Sequence, residues 1–229
     1  MNAAEDFEFA ALSEAKNYRA AIIAEFRDFL KGRVLEIGAG IGQITAVVAS
    51  QPSVQEVLAV EPDPKFVQAF QRSSPKIQLL HGTAQRVDSK SWDALISVNV
   101  LEHIEDDRGE LRRYADLLRG QGGHLCLLTP ARPEIYAPID RDFGHFRRYT
   151  KPELRSKLTD AGFQIVRLSY FNLIGYFAWA ANFRLLRNRS FKPKSVRLFD
   201  RLIFPIGHSL ERSLCRPPIG QSLITVARA

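Results

Sequence analysis

Short apolar runs alternate with amphipathic stretches along this chain. In residues 7–30, Phe7, Ala11, Ala15, Ile22, Ile23, Phe26, Phe29 and Leu30 recur at helical spacing with charges between them. That pattern predicts a helix, and Gly32 stops it. Residues 34–37 predict a buried strand, 43–49 a helix, and 57–60 a second strand that ends in Glu61. A helix is expected over 64–72, with Phe66, Val67, Ala69 and Phe70 as its packing side, before a third strand at 77–80 and a fourth at 92–98. The next helix starts at Asp107, with Glu110 three residues on as a capping box, and runs through Leu111, Tyr114, Ala115, Leu117 and Leu118 to Gly120. A fifth strand covers 123–129. Thr150 caps a further helix, with Glu153 completing its box, and Gly162 ends it. Strands at 163–170 and 223–227 complete the series. Apolar runs in alternation with helices predict a single α/β domain whose mostly parallel sheet is covered on both faces.

Three segments lie outside this plan. Residues 1–31 form a helical cap before the first strand. Residues 130–149 show no periodicity, and a connection of that length is expected to serve function. Residues 171–220 are an insertion before the last strand, with an aromatic start (Phe171, Tyr176, Phe177, Trp179) and a basic continuation over 184–201. Asn172, Asn182 and Arg184 interrupt its apolar part, which is too short to span a bilayer. It reads either as a cap or dimer helix on the sheet, or as a helix lying on a membrane surface through 171–201.

Composition adds one asymmetry. Residues 1–140 hold 15 Lys/Arg against 20 Asp/Glu, and residues 141–229 hold 17 against 5, so a net charge of +7 hides balances of −5 and +12. A basic third of this kind points to an anionic partner: an acidic substrate, a membrane surface or nucleic acid. Cys126 and Cys215 stand far apart and make no ligand cluster, Cys126 reads as a buried free thiol, and no metal is expected. The opening residues carry no apolar signal, so the expected location is cytoplasmic, with peripheral contact at the inner membrane face the alternative.

The chemistry concentrates in the first turn. Residues Glu36, Gly38, Gly40 and Gly42 follow the spacing E-x-G-x-G-x-G. A dinucleotide fingerprint would place its third glycine at position 43, which is Gln43. Glu61, at the end of the second apolar run, suits a ribose, whose two hydroxyls a carboxylate accepts.

Over residues 17–170 and the last strand, these motifs resemble class I S-adenosylmethionine-dependent methyltransferases. The resemblance implies a Rossmann-like seven-stranded sheet of order 3-2-1-4-5-7-6 with strand 7 antiparallel, and S-adenosylmethionine as cofactor. It places Glu36 near the methionine amino group, Gly38, Ala39 and Gly40 along the methionine, and Glu61 with Pro62 at the ribose. It also sets Asn99, Val100 and Leu101 against methionine and ribose, and lets Tyr18 cover the cofactor. Many relatives carry Gly-Asp-Ala after strand three. This chain has Gly82-Thr83-Ala84, so an adenine contact falls to the Thr83 hydroxyl or to backbone at Thr83 and Ala84.

Two histidines are candidate catalytic groups. His103, in Leu101-Glu102-His103, falls near the methyl face by the resemblance, as a base or as architecture. His145 lies in Gly144-His145-Phe146-Arg147-Arg148-Tyr149-Thr150, which resembles a Gly-His-x-Arg-Arg-Tyr-Thr segment of small methyltransferases linked to cell-envelope glycan or lipid pathways. Arg147 and Arg148 are expected to clamp an anionic acceptor or to answer Asp140 and Asp142 at the surface, and Tyr149 with His145 to orient or deprotonate a hydroxyl. The expected activity is methyl transfer, at oxygen, to a small-molecule, glycan or lipid-precursor acceptor, by a monomer or homodimer. A nucleic-acid methyltransferase is the alternative, disfavoured because Asn99-Val100-Leu101-Glu102 stands where base-methylating enzymes carry Asp/Asn-Pro-Pro-aromatic. A non-catalytic cofactor-binding module at a membrane is the third.

Overall fold

A computed structural model describes residues 14–88, 92–119, 122–190, 192–213 and 217–229. Its strands are β1 (Gly32–Ile37), β2 (Val54–Glu61), β3 (Ile77–His81), β4 (Ala94–Val98), β5 (His124–Pro130), β6 (Gln164–Phe171) and β7 (Ser222–Arg228). They form one sheet of order β3-β2-β1-β4-β5-β7-β6. Strands β1 to β5 pair in parallel, and β7 lies antiparallel between β5 and β6. The Rossmann-like order and the antiparallel seventh strand match the expectation.

Both faces of the sheet are buried, which is why its strands read as nearly continuous apolar runs. Leu35, Leu95 and Leu127 pack on one face against α4 (Asp107–Leu118) and α6 (Lys151–Asp160). Their neighbours Val34, Ile96 and Cys126 point the other way, toward Ile22 and Phe26 of α1 (Lys16–Phe26), Val48 of α2 (Gln43–Ala49) and Phe204 of α9 (Phe204–Ser213). Cys126 is a buried free thiol. Cys215 lies outside the described residues.

Several local expectations shift. The first helix ends at Phe26, whose carbonyl accepts from Phe29 and Leu30, so those residues form a tight turn; residues 1–13 lie outside the described region. Helix α3 (Pro64–Ala69) is shorter than expected and buries no residue, because Phe70 is already extended. Asp106, not Asp107, caps α4 by accepting from the Gly109 N–H at 2.9 Å. Asp107 turns inward instead to Lys157, Arg147 and Tyr149. Gly120 lies outside the described residues. Thr150 caps α6 as expected, accepting from Glu153 N at 3.3 Å.

The segment 130–149 is not unstructured. It contains a short turn (Pro133–Ile135) and α5 (Pro138–Asp142), and its ends are joined by an Ala131–Tyr149 bridge. The insertion is helical: α7 (Leu173–Trp179) runs on into a wider-wound turn (Ala180–Leu185), and α8 (Pro193–Leu198) continues through a second one (Phe199–Ile203) into α9.

Two buried acids fasten this insertion to the body. Ala15, at the start of α1, supplies no side-chain cap. Asp200 caps the helix from a distance, accepting from Asn17 N at 3.0 Å and Tyr18 N at 2.9 Å. Glu211 of α9 accepts from Asn172 N at 3.0 Å and Leu173 N at 3.1 Å. The insertion thereby holds Tyr18 where the sequence could only suggest a loosely placed aromatic.

Candidate functional site

At the carboxyl ends of β1, β2 and β4 lies a cavity of about 540 Å³. Open parallel sheets place ligands there because adjacent connections diverge. The turn after β1 makes its floor. Gly38 has φ +77°, and a Cβ at this position would meet Val100 Cγ2 at 2.3 Å. Gly42, at φ +89°, starts α2 in the left-handed region and presses on the Phe70 ring, where a Cβ would come within 3.0 Å. The third glycine at 42 is therefore demanded by the backbone.

Glu61 ties the turn to β2. Its Oε2 accepts from Gly40 N at 2.7 Å and its Oε1 from Asp63 N at 2.9 Å. Burial raises its carboxyl pKa, and these two N–H groups pull the other way. Glu36 is buried beneath the same cavity, and its Oε2 has no hydrogen-bond partner. Burial first, and then the charge of Glu61, push its pKa to about 8 despite the nearby Thr45 hydroxyl. Glu36 thus puts a buried carboxyl with one unpartnered oxygen in the cavity lining, where a bound cation could pair with it.

Eleven of the residues singled out in the sequence line this cavity: Tyr18, Glu36, Gly38, Ala39, Glu61, Pro62, Thr83, Ala84, Asn99, Val100 and His103. Gly40 and Leu101 do not. Gly40 serves through its N–H on Glu61, and Leu101 is buried in the core. Asn99 carries φ +53°, a conformation asparagine tolerates better than most side chains. Tyr18 rests edge-on against Phe204, ring centroids 5.4 Å apart, and burial pushes its phenol up to about 12, so it stays protonated near neutrality.

A second cavity, about 420 Å³, adjoins the first and shares Tyr18, Asn99 and Phe143 with it. Its walls come from the 130–149 segment and the helical insertion, with Trp179, Phe183 and Phe204 as large apolar faces and His145 and Arg148 among the polar ones. His103 stands in the first cavity and His145 in the second, with ring centroids 4.7 Å apart. Burial, then the neighbouring His145, lower the His103 pKa to about 4 against a pull from the Phe143 carbonyl, so His103 is neutral near pH 7.

His145 has a built environment. Its Nδ1 lies 3.0 Å from Asp140 Oδ1. Burial alone would raise the Asp140 carboxyl, but hydrogen bonds from His145 and Arg148 and the arginine's charge hold it below the ordinary aspartate range. An ionised carboxylate only accepts, so Nδ1 carries a proton in this pair. The His145 Nε2 is buried and has no hydrogen-bond partner. Glu102, His103 and His145 also present donor atoms within 4.8 Å of one another.

The remaining site candidates are engaged by the protein itself. Arg148 is spent on Asp140 and the Ala131 carbonyl and lies over the Trp179 ring at 4.4 Å. Arg147 pairs with Asp107 at 2.7 Å and donates to the Glu105 carbonyl, outside both cavities. Tyr149 is wholly buried, its hydroxyl bonded to Asp107 Oδ2 at 2.9 Å and the Leu101 carbonyl at 3.2 Å. Phe143 and Asp140 were not singled out for the site. Asp140 stands five residues before His145, a spacing that carries no signal by itself, because it is the fold of the segment that brings the two together.

The fold and the first cavity define a cofactor-dependent transferase of the Rossmann-like class, and the Methyltransferase domain family matches residues 10–168. The chain belongs to the class I S-adenosylmethionine-dependent methyltransferases. It is similar to a probable S-adenosylmethionine-dependent methyltransferase of Mycobacterium tuberculosis, 30% identical over 134 residues that make up 57% of this chain and 48% of that protein. The chain thus spans about half the length of that mycobacterial relative. A ubiquinone biosynthesis O-methyltransferase of Rickettsia typhi is 29% identical over 191 residues, 74% of this chain and 78% of that one. The crystal structure of Burkholderia thailandensis 1,6-didemethyltoxoflavin-N1-methyltransferase, with bound 1,6-didemethyltoxoflavin and S-adenosylhomocysteine, superposes with a TM-score of 0.61 at 19% identity, covering 95% of this chain and 80% of that one; this likeness is one of fold.

The cofactor is S-adenosylmethionine, and the first cavity fits it. The lining offers a buried Glu36 carboxyl oxygen without a partner, which an ammonium could pair with, and a Glu61 carboxylate whose remaining lone pairs could accept from ribose hydroxyls.

Proposed function

We propose that this protein moves the methyl group of S-adenosylmethionine to a hydroxyl oxygen of a small-molecule, glycan or lipid-precursor acceptor held in the second cavity. When bound, the sulfonium supplies an activated methyl and a neutral leaving group. What this chain must add is alignment of the two reactants and a place for the acceptor's proton. The observation that carries the reading is His145, which lines the second cavity, is oriented through Nδ1 by an ionised Asp140, and has a buried Nε2 with no hydrogen-bond partner. A hydroxyl acceptor needs such a base, whereas a carboxylate or phosphate acceptor would not.

Tyr18, Asn99 and Phe143 border both cavities and are the residues we assign to holding the acceptor against the methyl group. His103, neutral and edge-on to His145, is a spacer that keeps the imidazole in place. The apolar walls at Trp179, Phe183 and Phe204 select an acceptor with a hydrophobic part. Both arginines of the 147–148 pair are engaged by this chain's own acids, so acceptor charge is not what the site reads first. Incubating the protein with methyl-labelled cofactor and fractionated cell extract tests the proposal. Label should enter a base-stable ether, and its absence from every fraction, or its recovery only as a methyl ester or methylamine, would refute O-methylation at a hydroxyl.

A further inference from the structure

The insertion shows solvent what a helix normally hides. Eight of the ten large apolar side chains exposed among the described residues belong to it. Leu198, Leu202, Ile206 and Leu210 recur every fourth residue along α8 and α9, each more than half exposed. They form a stripe opposite Asp200, Phe204 and Glu211, the residues that pin the same helices to the body. Leu185 and Leu186, at the end of the preceding helix, are exposed at 76% and 69%.

Basic residues flank this stripe. Arg184, Arg187, Lys192 and Lys194 are exposed and take part in no ion pair among the described residues, and Arg201 is exposed beside Glu14. Asp200, the one acid between 184 and 201, is buried. A surface of this composition is complementary to one occupant in particular, an anionic lipid bilayer: headgroups for the cations, acyl chains for the leucines. Among the described residues no helix is long and apolar enough to cross a membrane.

The stripe also leads somewhere. Leu198 and Ile203 are exposed at 57% and 44% and at the same time line the second cavity. We infer that the insertion docks on an anionic membrane surface with the mouth of the second cavity facing the lipid, so that the acceptor is a membrane-borne amphiphile. The acceptor part of this inference rests on the methyl-transfer reading above; the docking part does not.

Co-sedimentation of the full chain with phosphatidylcholine vesicles, with and without phosphatidylglycerol, tests it without any methyl acceptor. The protein should bind the anionic vesicles alone and be released by salt. The double variant Leu202→Ser/Ile206→Ser should lose at least tenfold in vesicle affinity while keeping its affinity for S-adenosylhomocysteine, which shows that it is folded. Arg187→Glu/Lys194→Glu should weaken binding by roughly fivefold or more per site. A folded wild-type chain that stays in the supernatant with both vesicles would overturn the inference. So would a Leu202→Ser/Ile206→Ser variant that sediments like wild type, or a solution dimer that this variant dissociates, which would assign the stripe to a second copy. Failure of methyl transfer removes only the acceptor part and leaves every vesicle result unchanged, so docking and methyl transfer fail separately.

Discussion

Glu36 makes cofactor affinity depend on pH in a calculable direction. With its pKa near 8 in the ligand-free protein, the carboxylate is the minority form at pH 7. An ammonium binds the carboxylate and not the acid, so binding must expel a proton over this range. The apparent affinity at pH 7 should lie roughly tenfold below its alkaline plateau, and at pH 6 roughly a hundredfold below it. His103, held near 4, is neutral throughout and contributes nothing to that slope. The same shift has a consequence for stability. Its folded-state pKa is raised, so the contribution of Glu36 to folding is fully present below the unfolded value of 4.5 and is lost as pH rises through about 8. The ligand-free protein therefore carries a growing cost from pH 5 to 8, which the bound ammonium offsets.

Titration calorimetry with S-adenosylhomocysteine between pH 6 and 8.5, in buffers of different ionisation enthalpy, reads both effects. Close to one proton should be released per site at pH 7, and the melting-temperature gain from ligand should increase with pH. Glu36→Gln should remove the pH slope and hold affinity about 10- to 150-fold below the wild-type plateau, the range for one charge-assisted hydrogen bond. An affinity that stays level from pH 6 to 8.5, with heats independent of buffer, would show that the ammonium is held elsewhere.

The other predictions separate chemistry from support. His145→Gln should lower kcat/KM by roughly a hundred- to ten-thousand-fold with cofactor affinity unchanged. The wild-type rate should also withstand chelators, because a divalent ion on Glu102, His103 and His145 would occupy the Nε2 lone pair that the base needs; loss on chelation with recovery on adding metal would turn His145 into a ligand. Tyr149→Phe should cost about 1–3 kcal/mol in urea unfolding, through the Asp107 and Leu101 bonds, with unchanged kcat/KM per folded molecule. Glu61→Ala should weaken cofactor binding and also destabilise the ligand-free protein by about 2–4 kcal/mol, since the Gly40 and Asp63 N–H groups lose their acceptors; a ligand-free protein as stable as wild type would refute the brace.

Local pattern and long-range pairing divide what could be read in advance. The strands were legible because both faces of the sheet are buried, and the glycine at 42 because one residue of spacing distinguishes the turn. The fate of Asp107 was not. Asp106 and Asp107 are equally good caps by type, and the choice is made by Lys157, fifty positions away, whose ammonium meets Asp107 at 2.5 Å. Asp140 likewise looked like a surface answer to Arg147 and Arg148. Only the bridge between Ala131 and Tyr149 folds the loop back so that one carboxylate orients His145 and holds Arg148 together. Spacing within about four residues encodes helix faces and turns; it carries no record of which distant cation an acid will meet.

The insertion carries this furthest. Its charge was visible as an excess of bases, but the physical division lies between its few acids and its many cations. Asp200 and Glu211 face inward, cap α1 and the start of α7, and so fix Tyr18 at the border of the two cavities. The cations and the Leu198–Ile206 side chains face outward. A helix whose polar atoms are consumed inside and whose leucines are left outside is inverted relative to a soluble surface helix. No packing among the described residues requires that inversion, whereas the docking we propose on an anionic bilayer would account for it, with Leu198 and Ile203 at the edge of the second cavity on the same side.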